Sequence, residues 1–364
     1  MSKFQETEEI RQITFNGASP ALGNTNVQLR IPRQSRWLSQ ILIHINFTTG
    51  GTISATANRD YADAMLSEVR LRVSDKAGPN RFLVKAPSTS LLAWHQQMHA
   101  ALDRFSQQIV RNSAATAAGT YDLIVPINIR HPQVGEPIGV RTCLPLFSSS
   151  TGTGVADDPV LELDFAATAA ALNLGASSTL TINRVTAKLI YVNAPDSIFY
   201  IPQELVSYLP AVTAATAGSF DVPRQGFLSS VLLEEFSDTA YAVRANFLPS
   251  NTGADFYSLK YARTTLKDFY LRELQARGDY FSVPKPSAGS TEVAGQYPFV
   301  GLLDLLTPRP NDSAVVGDSM LSLYGDQQGD LASIAWNAAA SSNARLRLLA
   351  HKFFITDVTA LQGA

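Results

Sequence analysis

The stretch HQQMH puts His95 and His99 four residues apart, on one face of any helix that carries them. Two imidazoles at that spacing suit a metal ion, and the metalloprotease version adds a glutamate directly after the first histidine to act as base. Gln96 stands in that place, and no third ligand is near in sequence. The plainer reading is a pair of helix-surface or interface histidines. His44, His131 and His351 fall on three separate strand candidates and do not form the His and Glu cluster that a strand-borne metal site needs.

Carboxylates offer little more. Asp157–Asp158 and Glu234–Glu235 are adjacent pairs. Neighbouring residues on a strand point to opposite faces, so neither pair is a ready acid–base couple. In a loop, Asp157 and Asp158 could help hold Ca²⁺, set against the reading of no metal at all. The glycines of GTGVAD (152–157) follow no strand–helix unit and make no phosphate loop. Cys143, the one cysteine, lies in the apolar run RTCLPLF and reads as a small buried hydrophobe rather than a nucleophile. No Ser-His-Asp or Cys-His pattern has supporting context, so the expectation is no catalytic residue and no cofactor. VRLRV (69–73) and ARLRLL (344–349) each place two arginines on one strand face. Phosphates are conceivable partners for them, and acidic neighbours the simpler ones.

Bulk properties narrow the class. The chain has 364 residues, enough for two domains, and 45% hydrophobic content supplies their cores. Charged residues are 16%, well below the ~25% of ordinary soluble domains. A surface poor in charge suits a protein in permanent contact with its own copies, and equally a Ser/Thr/Asn-rich β domain. A net charge of −2 argues against sequence-specific nucleic-acid binding. No apolar run reaches 18 residues, and the start MSKFQETEEIRQ lacks the pattern of a signal peptide. Folding in a cytoplasm, without disulfides, is the expectation.

The elements that must carry these residues are mostly strands. WLSQILIHINFTT (37–49) sets Ile41, Ile43, Ile45 and Phe47 on one face. VRLRV, RFLVKAP (81–87), YDLIVPINIRHP (121–132), VLELDFAA (160–167) and LTINRVTAKLIYVNAP (180–195) continue the alternation, the last long enough to contain a bulge. One segment differs: over 88–110 the apolar positions Leu91, Trp94, Met98, Leu102, Phe105 and Ile109 have helical spacing, with Ser88 or Thr89 as N-cap.

The order then repeats. IPRQ (31–34) before the first long strand returns as VPRQ (222–225) before FLSSVLLE. DFYSLKYAR (255–263) follows as a strand, and 264–280 reads as a second helix. YPFVGLLDLLTPRP (297–310) lines up with YDLIVPINIRHP. DLASIAWNAAASS (330–342) lines up with PVLELDFAATAAA, Trp336 standing where Phe165 stands. ARLRLLAHKFFITD (344–357) lines up with INRVTAKLIYVN, Lys352 matching Lys188. The chain therefore reads as all-β, with two tandem eight-stranded jelly-roll sandwiches, each with an inserted α-helix. Expected bounds are an N-terminal arm (1–26), a first roll (27–195, helix about 88–110), a second roll (196–357, helix about 264–280) and a C-terminal tail (358–364).

This ordered duplication, from about Val27 to Asp357, resembles the double jelly-roll major capsid proteins of tailless icosahedral viruses, many with an internal membrane. The resemblance rests on the repeat and not on a diagnostic motif. It implies a structural virion protein without catalytic activity, forming homotrimers whose six rolls make a pseudo-hexameric tile. It implies neighbouring capsomers as partners, with minor capsid proteins and an internal lipid membrane as further ones, and assembly in a host cytoplasm. The loops 147–159, 237–255 and 286–298 would then be outer towers or contacts between tiles, and the two tails would be tying arms.

Two alternatives stay open on the sequence. One is a two-domain jelly-roll carbohydrate-active enzyme or lectin, which would focus carboxylates and exposed aromatics on one cleft. The other is a minor virion vertex or spike protein.

Overall fold

Alternating apolar residues make the longest strands, because a strand exposes successive side chains to opposite faces. The computed structural model describes residues 6–13, 19–51, 62–74, 80–99, 118–131, 138–147, 154–172, 174, 177–194, 200–209, 218–236, 256–261, 264–270, 300–304, 321–323, 332–336 and 345–354. The chain divides into two units, 1–98 with 102–206, and 207–364 with 99–101. They part after Val206, later in the chain than the boundary expected at 195.

The first unit contains β1 (Glu6–Gln12), β2 (Val27–Arg30), β3 (Trp37–Gly51), β4 (Leu66–Ser74), β5 (Asn80–Ala86), α1 (Ser88–His99), β6 (Gly119–Asn128), α2 (Ile138–Arg141), β7 (Leu144–Pro145), β8 (Val160–Phe165), β9 (Ser178–Val192) and the start of β10 (Gln203–Tyr208). One sheet runs β1-β9-β3-β6, with β7 also on β3; the other runs β2-β8-β4-β5. Alternate residues of both are buried: Ile41, Ile43, Ile45 and Phe47 on β3, and Val69, Leu71 and Val73 on β4. Each such side chain contributes about 1.5–3 kcal/mol by leaving water. β10 adds to the outer edge of β5 in parallel, Leu205 opposite Val84.

The second unit contains β11 (Gly218–Asp221), β12 (Phe227–Phe236), β13 (Phe256–Tyr261), β14 (Thr264–Tyr270), β15 (Val300–Asp304), β16 (Leu321–Ser322), β17 (Ala332–Trp336) and β18 (Arg345–Phe353). Its sheets run β15-β12-β18, with β16 on β12, and β11-β17-β13-β14. Val231 and Leu233 of β12, Leu348 of β18, Leu259 of β13 and Ile334 and Trp336 of β17 share one apolar core, so the two sheets face each other.

The duplication holds at the level of single backbone positions. The β3–β9 ladder starts Trp37↔Val192 and Leu38↔Tyr191, skips Ser39, and resumes at Gln40↔Ile190. The β12–β18 ladder starts Phe227↔Phe353 and Leu228↔Lys352, skips Ser229, and resumes at Ser230↔His351. The Ser39 hydroxyl donates to the Ile190 carbonyl at 3.0 Å, and the Ser229 hydroxyl to the His351 carbonyl at 3.1 Å. A second shared bulge lies on the other sheet. Leu83 is skipped between Leu71↔Val84 and Arg72↔Phe82, and Leu266 between Leu259↔Lys267 and Lys260↔Thr265.

The repeated PRQ motif does the same work twice. The Gln34 amide donates to the Leu146 carbonyl at 2.8 Å, and the Gln225 amide to the Leu323 carbonyl at 3.1 Å. The Ile31 amide reaches the Pro159 carbonyl, and the Val222 amide the Ala332 carbonyl, each at 2.8 Å. Proline holds the entry extended between these two anchors. The second copy makes its turn with one residue fewer, through positive φ at Gln225 (85°) and Gly226 (89°).

Several expectations need correction. Residues 264–270 are strand β14 and not the start of a helix. The shared bulge makes β14 the counterpart of β5, the strand before α1, so the helical reading began one strand too early; residues 271–280 lie outside the described residues. In the first unit, α1 ends at His99, with 100–110 outside them. Glu6–Gln12, expected in an N-terminal arm outside the first roll, pairs along its length with β9. Lys352 takes the place of Tyr191 rather than Lys188, and Trp336 that of Leu163 rather than Phe165, two positions along on the same face. The match of 297–310 to 121–132 holds at the described residues 300–304, Asp304 facing Ser230 as Asn128 faces Gln40. The bulge expected in the long strand is Asn183, whose amide donates to Asn46 Oδ1 (2.9 Å) and Thr48 Oγ1 (3.0 Å).

Candidate functional site

The helix that carries His95 is pinned at its start. The Pro87 carbonyl accepts the Ser90 and Leu91 amides, so the chain enters α1 through proline. Ser88 does not cap it. Its hydroxyl accepts the Leu66 amide at 3.1 Å and faces the Asp63 and Leu66 carbonyls. His95 is buried, with Nδ1 at 2.6 Å from the Asn128 amide, and Trp94 meets the His131 ring edge-on at 6.2 Å. This histidine therefore joins helix to sheet; the His99 side chain lies outside what the structure describes. His44 sits on the outer face of β3, with Nε2 at 2.8 Å from Asp122 Oδ1. Burial raises the Asp122 carboxyl, but hydrogen bonds from Asn46 and His44 outweigh it and leave the pKa below the ordinary value.

The fifth histidine is buried too. His351 on β18 touches the Ser229 hydroxyl through Nδ1 and the Phe353 ring edge-on at 4.7 Å. Burial pushes its pKa down to about 3. A serine and histidine in contact suggest a nucleophile and its base, yet both are buried and the imidazole is a poor base there. The pair braces the bulge.

Asp158 accepts the Arg33 amide at 3.0 Å, and the Arg33 guanidinium reaches the Ala156 carbonyl at 2.7 Å. The first PRQ arginine thus ties its own entry loop to the 154–159 segment through Asp158; Asp157 is exposed beside it. No group of three or more His, Cys, Asp or Glu placed to hold a metal occurs among the described residues.

The paired arginines take acidic neighbours. Arg70 lies 3.2 Å from Glu68, 3.3 Å from Glu162 and 3.0 Å from Asp164, and Arg72 lies 3.4 Å from Glu162. Strands β8 and β4 are neighbours, so the arginines stand opposite the carboxylates. In the second unit, Arg347 faces Glu234 across β18 and β12 at 3.9 Å, both buried.

The sequence reading missed β1. Three of its seven residues are glutamates, each with a basic partner: Glu6 with Arg130 (3.5 Å), Glu8 with Lys188 (2.6 Å) and Glu9 with Arg11 (2.7 Å). Glu9 also accepts the Tyr191 hydroxyl at 3.0 Å. Partial burial raises the Glu9 carboxyl, and the bonds from Arg11 and Tyr191 pull it back below its ordinary value. The Tyr191 phenol is pushed up to about 12 by burial and by Glu9. Ile10, the apolar residue of the strand, is 72% exposed. The alternation of ETEEIRQ was a signal, but it lacks the apolar face that announces a strand.

The described residues hold strand edges, bulges and paired charges rather than a reaction centre. No family model matches the sequence, and no curated protein matches it. Solved structures do. The crystal structure of the STIV MCP matches with a TM-score of 0.62 at 12% identity, covering 99% of both chains. The atomic structure of Sulfolobus Turreted Icosahedral Virus matches with 0.60 at 11% identity, over 98% of this chain and 92% of that one. The fold is a double jelly roll. The Faustovirus major capsid protein shares it, with a TM-score of 0.57 at 8% identity over 98% of this chain and 92% of its own. The double jelly roll accounts for the matching bulges, because the described strands of the two units repeat one sandwich.

Proposed function

We propose that this chain is the major capsid protein of an icosahedral virus, a structural protein without catalytic activity. The observation that carries the reading is the match of the whole chain, 99% of it over 99% of the other, to the STIV MCP. Low charge and the pairing of Arg70, Arg72 and Arg347 with carboxylates support it: these three arginines are used within the chain rather than offered to phosphates. The working unit in this reading is a homotrimer whose six rolls make a pseudo-hexameric capsomer in a virion shell. Its partners are neighbouring capsomers, minor capsid proteins and an internal lipid membrane, and assembly takes place in the host cytoplasm.

The test is the solution mass by size-exclusion chromatography with light scattering. A particle of three 39.3 kDa chains is expected. A monomer at every concentration, with no shells by electron microscopy, overturns the reading.

A further inference from the structure

Two counterpart leucines differ sharply in environment. Leu83 occupies the β5 bulge and is 1% exposed, whereas Leu266 occupies the matching β14 bulge and is 52% exposed. Beside Leu83, β10 covers the outer edge of β5, Leu205 opposite Val84 and Val206 opposite Lys85. β14 ends its sheet, and no strand lies on its outer side among the described residues. Thr264, Thr265 and Asp268 on it are exposed as well. An open edge with an apolar residue at mid-strand is a ready template for another strand.

A second edge of the same kind lies in the first unit. β1 ends its sheet, and no strand lies on its outer side among the described residues. Ile10 is exposed near its middle. Edges are ordinarily guarded by unpaired charge. Here Glu6, Glu8 and Glu9 are neutralised by Arg130, Lys188 and Arg11, and Asp268 on β14 accepts the Ser258 hydroxyl at 2.6 Å. Neither edge confronts an incoming strand with an unpartnered charge from these groups.

We propose that β1 of one copy and β14 of a second copy pair edge to edge, Ile10 lying against Leu266, as a contact between subunits. The occupant of each edge is the other edge on a neighbouring molecule. Such a contact is heterologous, joining different patches, and it closes into a ring where a two-fold contact would stop at a dimer. The proposal rests on the self-assembly reading above and names the surface that reading leaves open.

The test is an Ile10→Cys/Leu266→Cys double variant, oxidised and run on a non-reducing gel. Opposed residues on paired strands lie at about disulfide-bonding distance. The expected product is a covalent trimer, which three bonds of this one kind close. Each single variant carries one accessible thiol, Cys143 being buried, and cannot pass beyond a dimer. A trimer by light scattering that yields no covalent trimer overturns the edge contact and leaves the capsid reading intact. A covalent dimer from Leu266→Cys alone, in high yield, overturns it in favour of two-fold β14 pairing. A monomeric wild-type chain overturns both. As a second readout, Leu266→Lys is expected to lower the trimer fraction at least tenfold at a fixed concentration, with an unchanged thermal melt; an unchanged trimer fraction overturns the contact.

Discussion

The Glu234 carboxylate and the Arg347 guanidinium face each other across the β12–β18 ladder at 3.9 Å, both within the interior. Their counterparts in the first unit, by the shared register, are His44 and Thr186. His44 is half-buried there and turns to Asp122 on its other side. The same face of the same sheet thus carries a buried ion pair in one unit and a partly solvated histidine–aspartate pair in the other. Removing one partner of a buried pair leaves the other charge desolvated and costs about 3–5 kcal/mol. Arg347→Met or Glu234→Leu is expected to lose that much in urea unfolding, and the double variant much less than the sum. Single losses below about 1 kcal/mol would refute the pairing.

His351 sets an acid limb. Its folded pKa, about 3, lies below the ordinary value because burial disfavours the imidazolium. A lowered value means that the unfolded chain takes up a proton first as pH falls. The contribution is whole above about pH 6.5 and declines toward pH 3, with a slope of up to about 1.4 kcal/mol per pH unit. His351→Gln is expected to flatten that part of the stability–pH curve, and an unaltered slope would count against it.

Glu9 acts in a lower window. Its carboxyl is held below the ordinary value, so its contribution is present near neutral pH and lost as pH falls through the folded pKa. Hydrogen exchange of the Glu6–Gln12 amides is expected to accelerate in acid before the β3 amides do. In Glu9→Gln, that acid dependence weakens. Equal protection of both strands down to the unfolding pH would contradict a charge-held β1.

Gly226 is set by space as well as by φ. A Cβ built there would lie 2.8 Å from the Phe353 carbonyl oxygen, at a φ of +89° that favours glycine. Gly226→Ala is expected to cost about 1–3 kcal/mol, read as a lower midpoint in denaturant. Ser35→Ala, in the longer turn of the first unit, serves as the control and is expected to stay within about 0.5 kcal/mol.

Much of the fold was legible because its strands alternate cleanly. Ile41, Ile43, Ile45 and Phe47 announce β3, and the repeated PRQ before Trp37 and Phe227 announces the duplication. The helical reading failed over 264–270 because Leu266, Phe269 and Tyr270 are compatible with either period over so short a run, and a bulge breaks the strand alternation at Leu266. Lys352 and Trp336 were misregistered because similar letters were matched along one strand, and the ladders place their counterparts, Tyr191 and Leu163, elsewhere on that strand. At the candidate sites, acidic partners were foreseeable for Arg70, but which carboxylates they are depends on strand order. The burial of His351 and Glu234 was hidden because β18 and β12 are each enclosed on both faces.

The shared bulges also show how one fold can be written in very different letters. A bulge is a count of residues, not a choice of them: Ser39 and Ser229 kept their letter, but at the ladder positions beside them Gln40 became Ser230 and Tyr191 became Lys352. The backbone bonds at Gln34 and Gln225 ask nothing of a side chain. Substitution can therefore run almost to saturation while insertion and deletion inside a strand remain forbidden, since one residue more would turn every later side chain to the wrong face. What selection preserves in this architecture is spacing. This chain and the STIV MCP agree in 12% of their letters and share one fold.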